Sequence, residues 1–170
     1  MALRNILKRG DLTLEKPSRE VTDFDERLHT LLDDMLETVV FADGVGLAAP
    51  QVGVLRRVAV VLDTNRETED PKEQVIELVN PVIIETEGEI EGVEGCLSIP
   101  GVVGLVSRPE KVRVRAQDRM GNWFETEGQG LTARIFCHEL DHLDGKLYTR
   151  LCDRLYDPDD LPEPEETESE

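Results

Sequence analysis

The stretch "CHELDHLDGK", residues 137–146, places two of the chain's three histidines four positions apart, with a glutamate beside the first. Neighbouring residues on a helix are turned by about 100°, so His138 and His142 lie about 40° apart on one face, where both imidazoles can bind one ion. Glu139 lies beside that face, where it can reach a water ligand of the ion. This pattern, H-E-x-x-H, is typical of hydrolytic sites that use zinc or a similar metal.

The surrounding sequence predicts an α+β fold. A helix is predicted over 131–145, and a second helix over 22–42 has apolar residues at intervals of three and four, with a capping box from Thr22 to Asp25. His29, in this second helix, has no partner at a suitable spacing and is expected to be solvated rather than a ligand. Segments rich in Val and Ile predict strands at 57–63, 74–85, 111–118 and 122–128. We therefore expect mixed or antiparallel strands around a central H-E-x-x-H helix, with a further helix near the N-terminus.

Two features interrupt the predicted strands. Pro81 falls within the second strand, which should bend there or lie at a sheet edge, because proline cannot donate to the ladder. The segment 88–110, "GEIEGVEGCLSIPGVVGLVSRPE", is too rich in glycine for one regular element, so it is predicted to be a long loop. Its apolar content argues against disorder and for a functional loop.

A catalytic metal site needs a third protein ligand, and three cysteines are the candidates. Cys137 points about 100° away from His138 and about 140° away from His142, so it is expected to pack in the interior. Cys152 stays a candidate on spacing alone. Cys96 lies in the glycine-rich segment, whose backbone can approach a helix closely, and this favours it modestly over Cys152.

Composition and charge bound the class of protein. No apolar run approaches the ~20 residues that cross a bilayer, and the N-terminus lacks a secretory signal. We therefore expect a cytoplasmic protein without membrane association, in which a disulfide framework is not expected. The net charge is −18, and eight of the 37 acidic residues lie in 157–170, a segment with three prolines and no basic residue. We expect one domain, 1–156, then a disordered acidic tail, and no affinity for DNA.

Three segments resemble the signature motifs of the peptide deformylase family, in the family's order and at its usual separations. They are "GVGLAAPQVG" (44–53), "EGCLSIPG" (94–101) and "CHELDHLDG" (137–145). The segments "LVNPVIIETEG" and "SRPEKVRV" are also similar, so the resemblance covers about residues 1–150. It implies a peptide-deformylase-like fold. It also implies a hydrolase that removes the formyl group from the N-terminal formylmethionine of newly made polypeptides and releases formate.

The resemblance further implies roles for individual residues. The three metal ligands would be Cys96, His138 and His142. They would hold one divalent ion, usually Fe²⁺ in this family, with Zn²⁺ and Ni²⁺ as alternatives. Glu139 would be the general base and acid, while the Gln51 side-chain amide and the Leu97 backbone N–H would stabilise the oxyanion.

The implied partners are formylmethionyl peptides and nascent chains. The backbone at Gly44 and Gly46 would let such a peptide add as a strand. An apolar slot for the methionine side chain would have as walls Val45, Leu131 and Ile135. Ordinary core packing explains these three equally well. Arg108 would either guide the peptide or pair with Glu94, and the sequence leaves both interpretations open.

Two departures from the family pattern stand out. Cys137 occupies a position where the family often has glutamine, with little expected effect because it points away from the metal. Some members carry a basic C-terminal extension that contacts the ribosome, and the acidic segment 157–170 argues against such docking on RNA. The alternatives are another H-E-x-x-H hydrolase, such as an aminopeptidase, and a binding protein with a structural ion. The joint presence of Glu139 and Gln51 disfavours the binding protein.

Overall fold

Two antiparallel β-sheets dominate the computed structural model, which describes residues 2–162. The larger sheet has the order β1-β2-β3-β6-β7, with strands Gly46–Ala48, Val58–Leu62, Val75–Glu87, Lys111–Gln117 and Trp123–Gln129. The smaller sheet has the order β4-β5-β8, with strands Ile90–Cys96, Ile99–Arg108 and Leu155–Tyr156. All pairings between these strands are antiparallel, and the predicted α+β class is confirmed.

The five-stranded sheet lies between two helices, α1 (Glu26–Phe41) and α3 (Leu131–Leu143), while α2 (Pro71–Gln74) is a single turn. Side chains alternate across β2, so that Val61 packs on the side of α3 and Val60 on the side of α1. Burying each such side chain stabilises the fold by about 1.5–3 kcal/mol. The helix that carries both histidines is therefore held on a rigid apolar support.

The ends of α3 follow from its flanking glycines. Gly130 is its N-cap residue, and Gly145, just beyond the C-cap, has a left-handed φ of 73°. A Cβ atom at position 145 would lie 2.6 Å from the backbone oxygen of Glu15, so glycine is required there for space as well as for conformation.

The start of α1 differs from the prediction. Asp25 is the N-cap residue, and its side chain accepts a hydrogen bond from the Leu28 N–H, so the predicted capping box from Thr22 is wrong. His29 is also not a solvated residue, because it is half-buried and its Nε2 lies 2.8 Å from the Arg119 carbonyl oxygen. Sequence spacing along one helix could not reveal this contact with the β6–β7 turn.

The predicted irregularity at Pro81 is confirmed as a bend. The register of β3 against β6 shifts between Val79 and Val82, and Asn80 has a φ of 51°. The Asn80 side chain hydrogen-bonds both the N–H and the carbonyl of Val21, which satisfies backbone groups outside the sheet.

The prediction of a long loop over 88–110 is wrong. This segment forms the hairpin of β4 and β5, whose strands pair from Ile90 with Arg108 to Cys96 with Ile99. Its glycines make room for neighbouring groups. A Cβ at Gly92 would lie 2.8 Å from the Arg134 guanidinium, and a Cβ at Gly104 would lie 2.8 Å from the Cys152 sulfur. The glycines therefore reflect close packing against the hairpin rather than a lack of regular structure.

The predicted acidic tail lies mostly outside the described residues. Of the segment 157–170, the structure describes 157–162, where Pro158–Asp160 form a 3₁₀ turn capped by the Asp157 side chain. Within residues 2–162, none of the helices combines the length and apolarity that a membrane crossing would require.

Candidate metal centre and active site

Three donor atoms converge between α3 and the β4–β5 hairpin. The sulfur of Cys96 and one nitrogen each of His138 and His142 lie within 4.8 Å of one another. The two Nε2 atoms are 3.2 Å apart, and the sulfur is 3.4 Å from the Nε2 of His142. Metal–nitrogen and metal–sulfur bonds of about 2.0–2.3 Å in a tetrahedral arrangement place the ligand atoms about 3.3–3.6 Å apart. The donor set therefore fits one ion.

The fold selects among the three cysteines. Cys96 ends β4, where the hairpin brings its sulfur to the two histidines. Cys137 is buried in the core on the opposite side of α3, as predicted, and burial raises the pKa of its thiol to about 11. Cys152 packs with Tyr148 against the hairpin and does not belong to the cluster that the described residues form.

Glu94 sets the orientation of the first histidine. Its Oε2 lies 2.7 Å from the Nδ1 of His138. Burial would raise the pKa of Glu94, but hydrogen bonds from His138 and Arg108 outweigh it and lower the pKa to about 2. An ionised carboxylate only accepts hydrogen bonds, so Nδ1 carries a proton towards Glu94 and Nε2 is the ring nitrogen that faces the other two donors.

Arg108 is held inside the protein. Its guanidinium donates two hydrogen bonds to Glu94, at 3.0 and 2.7 Å, and one to Asp141 at 2.7 Å, and the residue is only 6% exposed. Of the two expectations for Arg108, the structure has the ion pair with Glu94. The guanidinium is therefore engaged by two carboxylates inside the protein.

Glu139 is buried beside the donor cluster. It is 3% exposed, and its Oε2 has no hydrogen-bond partner among residues 2–162. Burial raises the pKa of Glu139 to about 7, although the nearby His138 opposes the shift. A carboxyl group with this pKa can take up and release a proton near neutral pH, as a general base and acid must.

Gln51 joins the first motif to the hairpin. Its Oε1 accepts a hydrogen bond from the Ala48 N–H at 2.9 Å, and its Nε2 lies 3.1 Å from the Ser98 hydroxyl and 3.7 Å from the Cys96 sulfur. The oxygen thus satisfies a local backbone group, while the amide N–H groups face the hairpin next to the three donor atoms.

A cavity of about 280 Å³ opens onto the cluster. The predicted residues that line it are Gly44, Val45, Gly46, Gln51, Cys96, Leu97, Leu131, Ile135, His138 and Glu139. Sequence reasoning missed three further lining residues, Val93, Gly95 and Arg134. One feature of the sequence could have identified Arg134: an arginine among the apolar residues of "LTARIFCHELDHL" needs a buried partner.

The cavity also borders the edge strand of the larger sheet. Strand β1 is the outermost strand of the larger sheet and pairs only with β2 among the named strands. Gly46 on this strand packs closely on Glu139, since a Cβ there would lie 2.9 Å from the Glu139 Oε1. An extended peptide that pairs with β1 would therefore pass directly over the site.

This fold and site define a metal-dependent hydrolase of the H-E-x-x-H class. The family model described as polypeptide deformylase matches residues 3–157. The chain therefore belongs to the polypeptide deformylase family, whose enzymes remove the formyl group from the N-terminal methionine of polypeptides.

Individual relatives agree with this assignment. The chain is 55% identical over 148 residues to a peptide deformylase from Lachnoclostridium phytofermentans, with 87% of this chain and 88% of the relative covered. It is 51% identical over 161 residues to one from Acetivibrio thermocellus, with 95% and 90% covered. Among solved structures, peptide deformylase from Legionella pneumophila has a TM-score of 0.81 at 46% identity, covering 88% of this chain and 85% of that one. The Thermotoga maritima enzyme has a TM-score of 0.82 at 36% identity, covering 89% and 99%.

Proposed function

We propose that the cavity removes the formyl group from formylmethionyl peptides and nascent chains, using Cys96, His138 and His142 as ligands of one divalent ion. The observation that best supports this proposal is that the three donor atoms lie together next to the buried Glu139. The ion in the cell is Fe²⁺, with Zn²⁺ and Ni²⁺ as alternatives that accept the same thiolate and imidazole donors. Held by these three side chains, such an ion would supply Lewis acidity that makes a nearby water molecule easier to deprotonate.

Glu139 moves the proton. Burial raises the pKa of Glu139 to about 7 in the metal-free site, and its ionised form takes the proton of the attacking water. It then delivers that proton to the amine that leaves as the C–N bond of the formamide breaks. The products are formate and a peptide with a free N-terminal methionine.

Gln51 and the Leu97 backbone N–H stabilise the negative charge that develops on the formyl oxygen. The Gln51 amide is 1% exposed and fixed by Ala48 and Ser98, so little reorganisation is needed when the charge appears. Leu97 follows the ligand Cys96 directly in the hairpin turn and lines the same cavity.

The peptide pairs with β1, and its methionine side chain enters the cavity. Gly44 and Gly46 keep the backbone accessible, while the apolar walls of the cavity are Val45, Leu131 and Ile135. Leu131 and Val45 are partly exposed at the mouth, whereas Ile135 is buried beside Glu139. This arrangement suits an unbranched, flexible side chain.

We assign the catalytic domain to residues 1–156 and the cytoplasm as its location. The acidic segment that follows carries eight negative charges and no positive charge, so it repels RNA. Nascent chains therefore reach the site without docking of this segment on the ribosome.

A product assay separates deformylation from aminopeptidase activity. The metal-loaded protein is mixed with formyl-Met-Ala-Ser and, separately, with Met-Ala-Ser, and formate and free methionine are quantified. We expect formate from the first peptide and no methionine from either. Methionine release from the unblocked peptide would favour the aminopeptidase, and inertness towards both would favour a structural ion.

Metal analysis tests the identity of the ion. Protein purified anaerobically should contain about one Fe²⁺ per chain and lose activity in air, because a thiolate-bound ferrous site is readily oxidised. Zinc content with air-stable activity would contradict the assignment of Fe²⁺.

A further inference from the structure

We propose that Arg134 is a positioning residue that sets the location of the Cys96 thiolate relative to the two histidines, an inference that rests on the proposed metal site. It acts through the β4–β5 hairpin and through Glu94, while its side chain also lines the cavity. Arg134 lies one turn before His138 on the same face of α3, so its side chain can reach the hairpin beside the donor cluster.

The guanidinium of Arg134 connects α3 to both strands of the hairpin. Its Nη1 donates to the Val106 carbonyl on β5 at 2.7 Å and to the Glu94 carboxylate on β4 at 3.2 Å. Its Nη2 donates to the Ile90 carbonyl on β4 at 3.0 Å. One side chain therefore fixes the position of the whole hairpin whose end carries Cys96.

Glu94 transmits this contact to the metal site. Its Oε1 accepts from Arg134 and Arg108, while its Oε2 accepts from Arg108 and His138. The four hydrogen bonds use the acceptor positions of both oxygens, so the carboxylate has one well-defined orientation. Removing the Arg134 bond leaves Oε1 with one donor fewer, so the orientation that Glu94 gives to the His138 ring is held less tightly.

The packing of Arg134 leaves it little freedom to adjust. The residue is 8% exposed, and a Cβ atom at Gly92 would lie 2.8 Å from its Nη2 and 3.1 Å from its Cζ. Glycine at position 92 thus lets the β4 backbone lie directly against the guanidinium. A methyl group there would displace the guanidinium without removing its charge, which provides an independent test of the same contact.

The experiment measures metal binding without substrate. Arg134→Met, Arg134→Lys and Gly92→Ala are compared with wild type for Co²⁺ affinity by chelator competition and for the thiolate-to-Co²⁺ absorption band. The melting temperature of the metal-free protein is recorded for each. Arg119→Met is the matched control, because Arg119 also joins two elements through two carboxylates, Glu77 and Asp33, but far from the ligands.

We expect Arg134→Met to weaken Co²⁺ binding about 10–100-fold, the range typical of lost outer contacts to metal ligands, and to shift the absorption band. The Co²⁺ affinity of Arg134→Lys should lie between those of wild type and Arg134→Met, because one ammonium group cannot satisfy three acceptors. Gly92→Ala should weaken binding in the wild-type background and have a much smaller effect when Arg134→Met is already present. The control should melt at a lower temperature with Co²⁺ affinity within twofold of wild type.

A purely structural role gives a different pattern. If Arg134→Met and Gly92→Ala lower the melting temperature while Co²⁺ affinity and the absorption band match wild type, the proposal is overturned. Should Arg134→Met fail to fold, the same comparison of Arg134→Lys and Gly92→Ala with the control decides the question. These readouts involve no formyl peptide, so they are separate from a failure of the wild-type protein to release formate.

Discussion

The Nδ1 atom of His138 lies 2.7 Å from the Oε2 atom of Glu94, and this contact fixes Nε2 as the ring nitrogen that faces the donor cluster. We predict that Glu94→Gln weakens metal binding about 10–100-fold, because the amide no longer guarantees an acceptor for the ring N–H. Chelator competition measures the change. Glu91→Gln, at an exposed position on the same strand, should bind metal like wild type. Equal affinities for the two variants would contradict this role of Glu94.

Metal binding should weaken as the pH falls. Burial would lower the pKa of His138, but hydrogen bonds with Cys96 and Glu94 raise it to about 10 in the metal-free site. The pKa of His142 is lowered to about 3 by burial and by the nearby His138 charge. Below pH 10 the ion must therefore displace a proton from His138 but not from His142. Between pH 8 and 6 this proton alone should lower the apparent affinity by about tenfold per pH unit. Calorimetry in buffers of different ionisation enthalpy measures the number of protons released on metal binding. A metal affinity that does not change with pH would show that His138 gives up no proton.

Glu139→Gln should keep the ion and lose turnover. The amide has nearly the shape of the carboxyl group but cannot accept the proton of the attacking water, so kcat should fall at least about 10²–10⁴-fold. Formate release and metal content are measured on the same sample. Turnover near the wild-type rate with bound metal would remove Glu139 from the mechanism.

Gly46→Ala should impair catalysis while the metal stays bound. The new methyl group would lie 2.9 Å from the Glu139 Oε1 and 2.8 Å from the Ile135 Cγ2, so the carboxyl group must move from its position. We expect kcat for formate release to fall at least about tenfold, since small displacements of a catalytic group are costly. Gly95→Ala, whose methyl group would meet only Val103 at 3.3 Å and a carbonyl at 3.8 Å, is the matched control in the same cavity. Equal kcat for Gly46→Ala and wild type would show that Glu139 tolerates the displacement.

The sequence predicted those parts of the site that depend on local periodicity. The four-residue spacing of His138 and His142 is a property of one helix, so the shared face could be read directly. Cys96 could only be favoured over Cys152 from the residues alone, because its approach to α3 depends on the tertiary position of a hairpin. The resemblance to known deformylases pointed to Cys96 as the third ligand of the proposed site, and the structure brings its sulfur close to both histidines.

The errors share a physical cause. The glycines of 88–110 predict a loop, whereas Gly92 and Gly104 make room for Arg134 and Cys152 in a regular hairpin. A charged residue on a helix is usually solvated, so the sequence pattern alone does not predict the buried contacts of Arg134. In both cases the deciding contact joins residues far apart in the chain, which periodicity cannot report.

Titration of the metal-free protein with Co²⁺ tests the central claim most directly, with the thiolate-to-Co²⁺ band and formate release from formyl-Met-Ala-Ser followed in the same samples. For wild type and Cys152→Ala, both signals should rise together and stop at about one ion per chain, as a site with three protein ligands requires. Cys96→Ala should show neither the band nor turnover at that ratio. A band that persists in Cys96→Ala, or full formate release before any ion is added, would contradict the account.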